Sequence, residues 1–301
     1  MSINKVKDRK IIAKKQSLWG IIFISPNLIL FTTFFLIPIL ATGYLSFTRW
    51  DLVNPAQYIG IENHEELLRD KGFHKVFINT LYFTLLSTPL NVILPLFLAM
   101  ALNRKIKGIA IYRTAYFLPV VSSMVAVSLV WLWLFNRDYG LINAALGLIG
   151  LPKQGWLNDV RLAMPSVVIV TVWKGLGFYM TIFLAALQDV PDTLIEAAKI
   201  DGANWFQRFF HITIPMISPA IFFVIVMSTI WGFQTFDQIY MITEGGPLGS
   251  TTVLVYELYK QGFEFLKMGK ASAIAIFLLV IILVATLIQW QIRKRWVYGE
   301  F

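Results

Sequence analysis

The sequence predicts an all-α polytopic membrane protein with six transmembrane helices. Three observations carry this. Apolar residues make up 57% and aromatic residues 15% of 301 residues, more than a soluble core of that length needs. The apolar residues fall in blocks of membrane length, and Lys and Arg gather beside those blocks. The formal charge of +9 could indicate a nucleic-acid partner, but no basic patch interleaved with aromatics sits on a foldable soluble unit, so nucleic acid is excluded as a partner. Cysteine is absent, which excludes a disulfide framework and thiolate chemistry.

Residues 1–16 form a basic tail, with Lys5, Lys7, Arg9, Lys10, Lys14 and Lys15 against Asp8, suited to an anionic cytoplasmic leaflet. The first apolar run, from about Leu18 to Phe47, is too long for a signal-peptide core and reads as segment one, bent at Pro26 and Pro38. Residues 48–75 are an outer loop with a short helix over Glu62 to Leu68. Segment two runs from about Val76 to Leu102, with Pro89 and Pro95 as kink points. Asn103 to Arg113 carries Arg104, Lys105, Lys107 and Arg113 and no acid, so it returns to the basic side; segment three then spans Thr114 to Phe135.

The second outer loop, 136–160, is rich in Asn, Asp, Gly and Pro. Segment four runs from about Leu162 to Leu187, segment five from Met216 to Phe236, and segment six from Met268 to Ile292, with the turn Glu244-Gly245-Gly246-Pro247 between the last two. The six-helix domain therefore covers 17–292, followed by a C-terminal tail, 293–301. Lys and Arg are more numerous on the inner loops than on the outer ones, which places both termini in the cytoplasm.

The chain is organised around residues 189–215, between segments four and five. Pro191 suits a helix start, and Asp201-Gly202 breaks the helix about where it has reached Ile200. A second helix places Trp205, Phe206, Phe209 and Phe210 on one face, and either these rings pack back on the membrane segments or they await a partner. The loop carries Lys199 and Arg208 against Asp189, Asp192, Glu196 and Asp201, a balance that a basic socket on a partner would explain.

This stretch resembles the cytoplasmic EAA loop of permease subunits from binding-protein-dependent ABC importers. The matching residues are Glu196, Ala197 and Ala198, then Asp201, Gly202 and Ala203, then Ile212 and Pro215. Further pieces resemble carbohydrate importers, in particular their maltose-type first permease subunit, over nearly the whole chain. They are Leu45-Ser46-Phe47, Tyr58-Ile59-Gly60-Ile61-Glu62-Asn63, Asn79-Thr80-Leu81, Val172-Trp173-Lys174, Leu184-Ala185-Ala186-Leu187-Gln188 and Thr243-Glu244-Gly245-Gly246-Pro247.

The resemblance implies the ABC importer type I permease fold in a bacterial or archaeal plasma membrane. It implies a second homologous permease subunit, two ATP-binding subunits that grip the loop, an extracytoplasmic solute-binding protein, and a sugar or polyol as solute. ATP and Mg would be bound by the partner, with no cofactor of the chain's own. Glu196 would fix the loop by pairing or capping, Gly202 would permit its turn, and Phe209 joins the coupling set. The chain has no room for the extra helices or large outer domain of some members. His64 stands where, in the family it resembles, an aromatic residue commonly follows the Gly-x-Glu-Asn piece.

No catalytic constellation is present: the P-loop pattern is missing, and His64, His74 and His211 fit no metal-ligand spacing. A non-catalytic subunit follows. In segment four, Thr171, Lys174, Gly175 and Phe178 share one helix face; in segment five, Ser228, Trp231, Gly232 and Thr235 repeat that spacing, with Gln234 beside them. A lysine at membrane depth should face a cavity or a partner, or pair with a carbonyl. These faces suit a sugar, whose C–H surface stacks on rings and whose hydroxyls need partners. The resemblance puts the maltose-type membrane sugar site on the same two faces. The alternative, an ion-coupled secondary transporter of a small solute, would need acids at membrane depth, and only Asp237 comes near. An intramembrane enzyme would need clustered acids or histidines there, which are missing.

Overall fold

The computed structural model describes residues 20–104 and 107–298. The 1–16 tail, Lys105 and the last three residues of the C-terminal tail lie outside these. Helix α1 (Gly20–Leu45) opens the described chain. It does not break at Pro26; ahead of Pro38 it widens into a π turn, Thr32–Leu36, and then continues. A two-stranded hairpin follows, β1 (Thr48–Arg49) paired antiparallel with β2 (Gln57–Tyr58), Thr48 opposite Tyr58. Then come α2 (Glu62–Arg69) and α3 (Lys71–Leu102), the latter unbroken through Pro89 and Pro95.

Segment three departs from expectation. It is not one straight helix from Thr114 but two helices, α4 (Ile109–Val121) and α5 (Met124–Leu134), bent by 101°. Ser122 and Ser123 are extended, with ψ of 144° and 136°, and Pro119 sits in the last turn of α4. The remaining elements are α6 (Leu141–Leu148), α7 (Ala163–Gln188), α8 (Asp192–Ile200), α9 (Trp205–Met216), α10 (Ser218–Phe233), α11 (Asp237–Ile242), α12 (Leu254–Tyr259) and α13 (Met268–Arg293). Among the described residues, four helices are long and apolar enough to cross a membrane alone; counting α4–α5 and α9–α10 as single bent spans gives six.

Two apolar clusters stack along the bundle. One joins Phe83, Phe135, Val167, Ile239 and Val253; the other joins Leu96, Leu102, Phe183, Leu187, Ile217 and Val224. Helix α3 packs along α7 and α10, so the three form the central wall. Helix α1 is the exception: none of its most apolar stretch is buried within the chain, and it touches the bundle through α13. Burial of that surface must come from lipid or another subunit, since an apolar face of this size is not stable in water.

At the end away from residues 189–215, side-chain amides fasten the loops. Asn63 donates Nδ2 to the carbonyls of Ser46 and Thr48, at 3.0 and 2.8 Å. The Met268 N–H bonds the Trp50 carbonyl at 2.9 Å, and Gly269 lets the Thr48 carbonyl approach where a Cβ would collide. Asn79 donates to Gly249 and Thr252 carbonyls at 2.9 and 3.0 Å, while Thr80 Oγ1 accepts the Leu254 N–H at 2.9 Å. The stretch 249–254, which Thr251 and Thr252 bond to the Thr243–Pro247 turn, is thereby tied to α3.

Candidate solute cavity and coupling loop

A cavity of about 380 Å³ lies between the two apolar clusters, walled by α3, α7, α10 and the α4–α5 break. Thr171, Lys174, Gly175, Phe178, Ser228, Trp231 and Gly232 all line it, so the two helix faces expected from spacing do meet. Gln234 and Thr235 do not. Helix α10 ends at Phe233, so helical spacing no longer applies to them; Gln234 is exposed and Thr235 is buried elsewhere. Phe178 and Tyr179 flank Trp231, with ring centroids 5.4 and 6.0 Å away, giving an aromatic wall.

Lys174 is held by the break in segment three. Its Nζ donates to the Val120 carbonyl at 3.1 Å and to the Pro119 carbonyl at 3.3 Å. The Ser122 hydroxyl takes the Leu118 carbonyl at 3.1 Å. The last carbonyls of α4, orphaned by the bend, thus find donors, and a cation sits at the negative end of that helix. Glycines set the helix spacing: a Cβ on Gly177 would collide with the Tyr116 carbonyl and stand 2.8 Å from the Phe117 Cα, and one on Gly232 would stand 3.0 Å from Thr84.

Sequence reasoning missed the α3 wall. Phe83, Ser87 and Asn91 line the cavity, as do Met124, Asp237 and Gln238. Asn91 donates Nδ2 to Ser228 Oγ at 2.9 Å, and Gln238 Nε2 donates to Thr171 Oγ1 at 3.2 Å. The available signal was a lone amide between two prolines inside an apolar run.

At the far end of α7, residues 189–215 fold as a helical pair. Gly202 has φ +77°, its N–H bonds the Lys199 carbonyl at 3.1 Å, and the Ala203 N–H bonds the Ala198 carbonyl at 2.9 Å, a Schellman cap that closes α8. Asn204 and Gln207 then form a reciprocal capping box at 2.9 and 2.7 Å, opening α9. Arg208 donates to the Ala203 carbonyl, fastening the turn.

One expectation for this loop is corrected. Glu196 is exposed and pairs with no side chain or backbone group among the described residues, so it does not fix the loop from within. Phe209 is 8% exposed, in the cluster that also holds Leu184, Leu187 and Leu102, so it anchors the loop to the bundle. Trp205 stacks on it at 5.2 Å, while Phe206 and Phe210 stay exposed. Asp192, Ala197, Asp201 and Gly202 are also exposed; Ala198, Ala203, Ile212 and Pro215 are half-buried.

A helical bundle with a polar and aromatic cavity between its apolar clusters, and an exposed helical pair at one end, is the arrangement of a membrane transport subunit. The chain belongs to the family of inner membrane components of binding-protein-dependent transport systems, whose pattern it matches over residues 68–298. It is similar to the probable ABC transporter permease protein YesP of Bacillus subtilis, 40% identical and covering 95% of this chain and 94% of that one. It is 35% identical to the multiple sugar-binding transport system permease protein MsmF of Streptococcus mutans, covering 92% and 96%. Its fold matches a chain of a bacterial ABC transporter involved in import of the acidic polysaccharide alginate, with TM-score 0.81, 25% identity, and 96% and 99% covered.

Proposed function

We propose that this chain forms half of the translocation pathway of an ATP-driven importer for a sugar or related polyol. The observation that carries the reading is the junction of cavity and loop through one helix: α10 bears Ser228 and Trp231, and it joins α9 of the exposed pair at a 66° bend. A push on Ile200, 86% exposed at the loop tip, or on Phe206 and Phe210 is passed by the packed Phe209 and the bend to α10. The cavity wall then moves. MsmF carries a sugar-transport name and the similar solved importer handles a polysaccharide, which supports a carbohydrate solute here.

In this reading a second homologous permease completes the cavity and two ATP-binding subunits seat the 189–215 loops. Those partners bind ATP and Mg, so the present chain is non-catalytic. Glu196, exposed and without a side-chain partner among the described residues, serves as a contact for a basic group on the ATPase. Both termini face the cytoplasm, on the side of that loop. An extracytoplasmic binding protein delivers solute to the opposite end.

The test is uptake into proteoliposomes holding the full complex, with ATP inside and binding protein outside, of labelled maltotriose, raffinose, trigalacturonate, glycerol and glycerol 3-phosphate. Uptake requiring both ATP and binding protein supports the reading. Uptake driven by an ion gradient without ATP contradicts it.

A further inference from the structure

The polar groups of the cavity are not equally open to a solute. Lys174 gives two of its protons to the Pro119 and Val120 carbonyls. Thr171 donates to the Val167 carbonyl at 2.9 Å and already accepts from Gln238. Ser228 accepts from Asn91 and donates to Thr88 Oγ1 at 3.4 Å. Each of these side chains has a partner inside the chain.

Asn91 differs. It is 5% exposed, its Nδ2 is directed at Ser228, and its Oδ1 is buried with no hydrogen-bond donor. That oxygen points toward the cavity wall at Gly175, 3.7 Å from where a Cβ there would stand. A buried carbonyl oxygen without a donor is costly, and a ligand that supplies one relieves that cost. The carboxylate of Asp237 also lines the cavity; it receives no side-chain hydrogen bond among the described residues, and its charge faces that of Lys174.

We infer that Asn91 is a solute ligand, accepting a hydrogen bond from one solute hydroxyl, and that this half of the cavity reads hydroxyl donors rather than an anionic group. The inference rests on the importer reading and names the group that reading lacks. Asn91 Oδ1 and the Asp237 carboxylate both accept, and neither receives a side-chain hydrogen bond among the described residues. Among the described residues, Lys174 and Asp237 are the only charged ones of the lining, and Lys174 already serves the broken helix. The Ser228–Asn91 bond takes up the amide nitrogen, so the oxygen is the atom left without a partner.

The test is a cycle between residue and solute, run on the reconstituted complex with its binding protein. Asn91→Leu is combined with monodeoxy derivatives of whichever of maltotriose and raffinose is taken up faster. The half-saturating concentration should rise roughly tenfold in Asn91→Leu. One monodeoxy sugar should show a similar rise in the unaltered complex and no further rise in Asn91→Leu. Thermal melting of the purified Asn91→Leu complex separates loss of the contact from misfolding: a melting temperature near that of the unaltered complex is expected. If every deoxy position adds as much in Asn91→Leu as in the unaltered protein, the inference is overturned. ATP-dependent uptake by the unaltered complex would in that case leave the importer reading standing.

Discussion

The Lys174 ammonium bonds the Val120 carbonyl at 3.1 Å, joining the middle of α7 to the point where α4 stops. The contact explains two features at once. A lysine is tolerated between apolar segments because its protons meet backbone acceptors, and a sharp bend is tolerated because its freed carbonyls meet donors. Lys174→Met should therefore lower the stability of the purified complex by about 1–3 kcal/mol, the cost of stranding buried acceptors. Thermal melting checks this. Lys174→Arg, which keeps the charge, should lose less.

Gly177→Ala attacks the same junction sterically. Its Cβ meets the backbone of Tyr116 and Phe117, which cannot step aside as a flexible side chain can. Overpacking of this kind costs about 1–3 kcal/mol. Reduced melting temperature and poorer yield in the membrane are expected, with loss of transport following from loss of folded protein.

Gly202→Asp should do the reverse. The position is open, with nothing within 4 Å of a Cβ, so the penalty is only that of φ +77°, about 1–2 kcal/mol. The protein should reach the membrane in near-normal amount and fail in uptake, because the cap that shapes the exposed pair is distorted. Quantitative blotting beside an uptake assay separates the two; normal uptake would refute a coupling role for the turn.

His64 lies beyond the membrane segments, on α2, with Nε2 3.2 Å from Ser46 Oγ. Burial pushes its pKa below the usual 6.5. The folded state therefore favours the neutral ring, so the stabilisation is present above pH 6.5 and is lost as pH falls from there through the lowered folded value. Melting temperature should drop across that interval, and the drop should shrink in His64→Asn.

The outline of this fold was legible because membrane segments announce themselves by length and composition. Segment six was expected over Met268 to Ile292 and ends at Arg293; segment four was expected from Leu162 and begins at Ala163. The facing pair Lys174 and Trp231 was legible for the same reason, since spacing on two straight helices predicts a shared face. Where a helix stops, that inference stops, which is why Gln234 and Thr235 were misplaced. The break at Ser122 and Ser123 was illegible because its stabilisation comes from Lys174, 54 positions away from Val120. Asn91 was hidden by similar distance: a lone amide between Pro89 and Pro95 marks a polar position, but its partner, Ser228, lies on another helix. Phe209 looked like its neighbours in the aromatic cluster, and only packing on Leu184 and Leu187 separates it from the exposed Phe206 and Phe210.

The central claim is that the cavity between α7 and α10 is a solute path whose access follows ATP. Because the chain contains no cysteine, Thr171→Cys places a single thiol of this subunit on the cavity wall. The direct measurement is its labelling by a membrane-impermeant maleimide in proteoliposomes holding the complex, with and without a non-hydrolysable ATP analogue, and with and without transported solute. The account predicts that the analogue changes which side of the membrane reaches the thiol and that solute slows labelling. Labelling indifferent to both nucleotide and solute would contradict it.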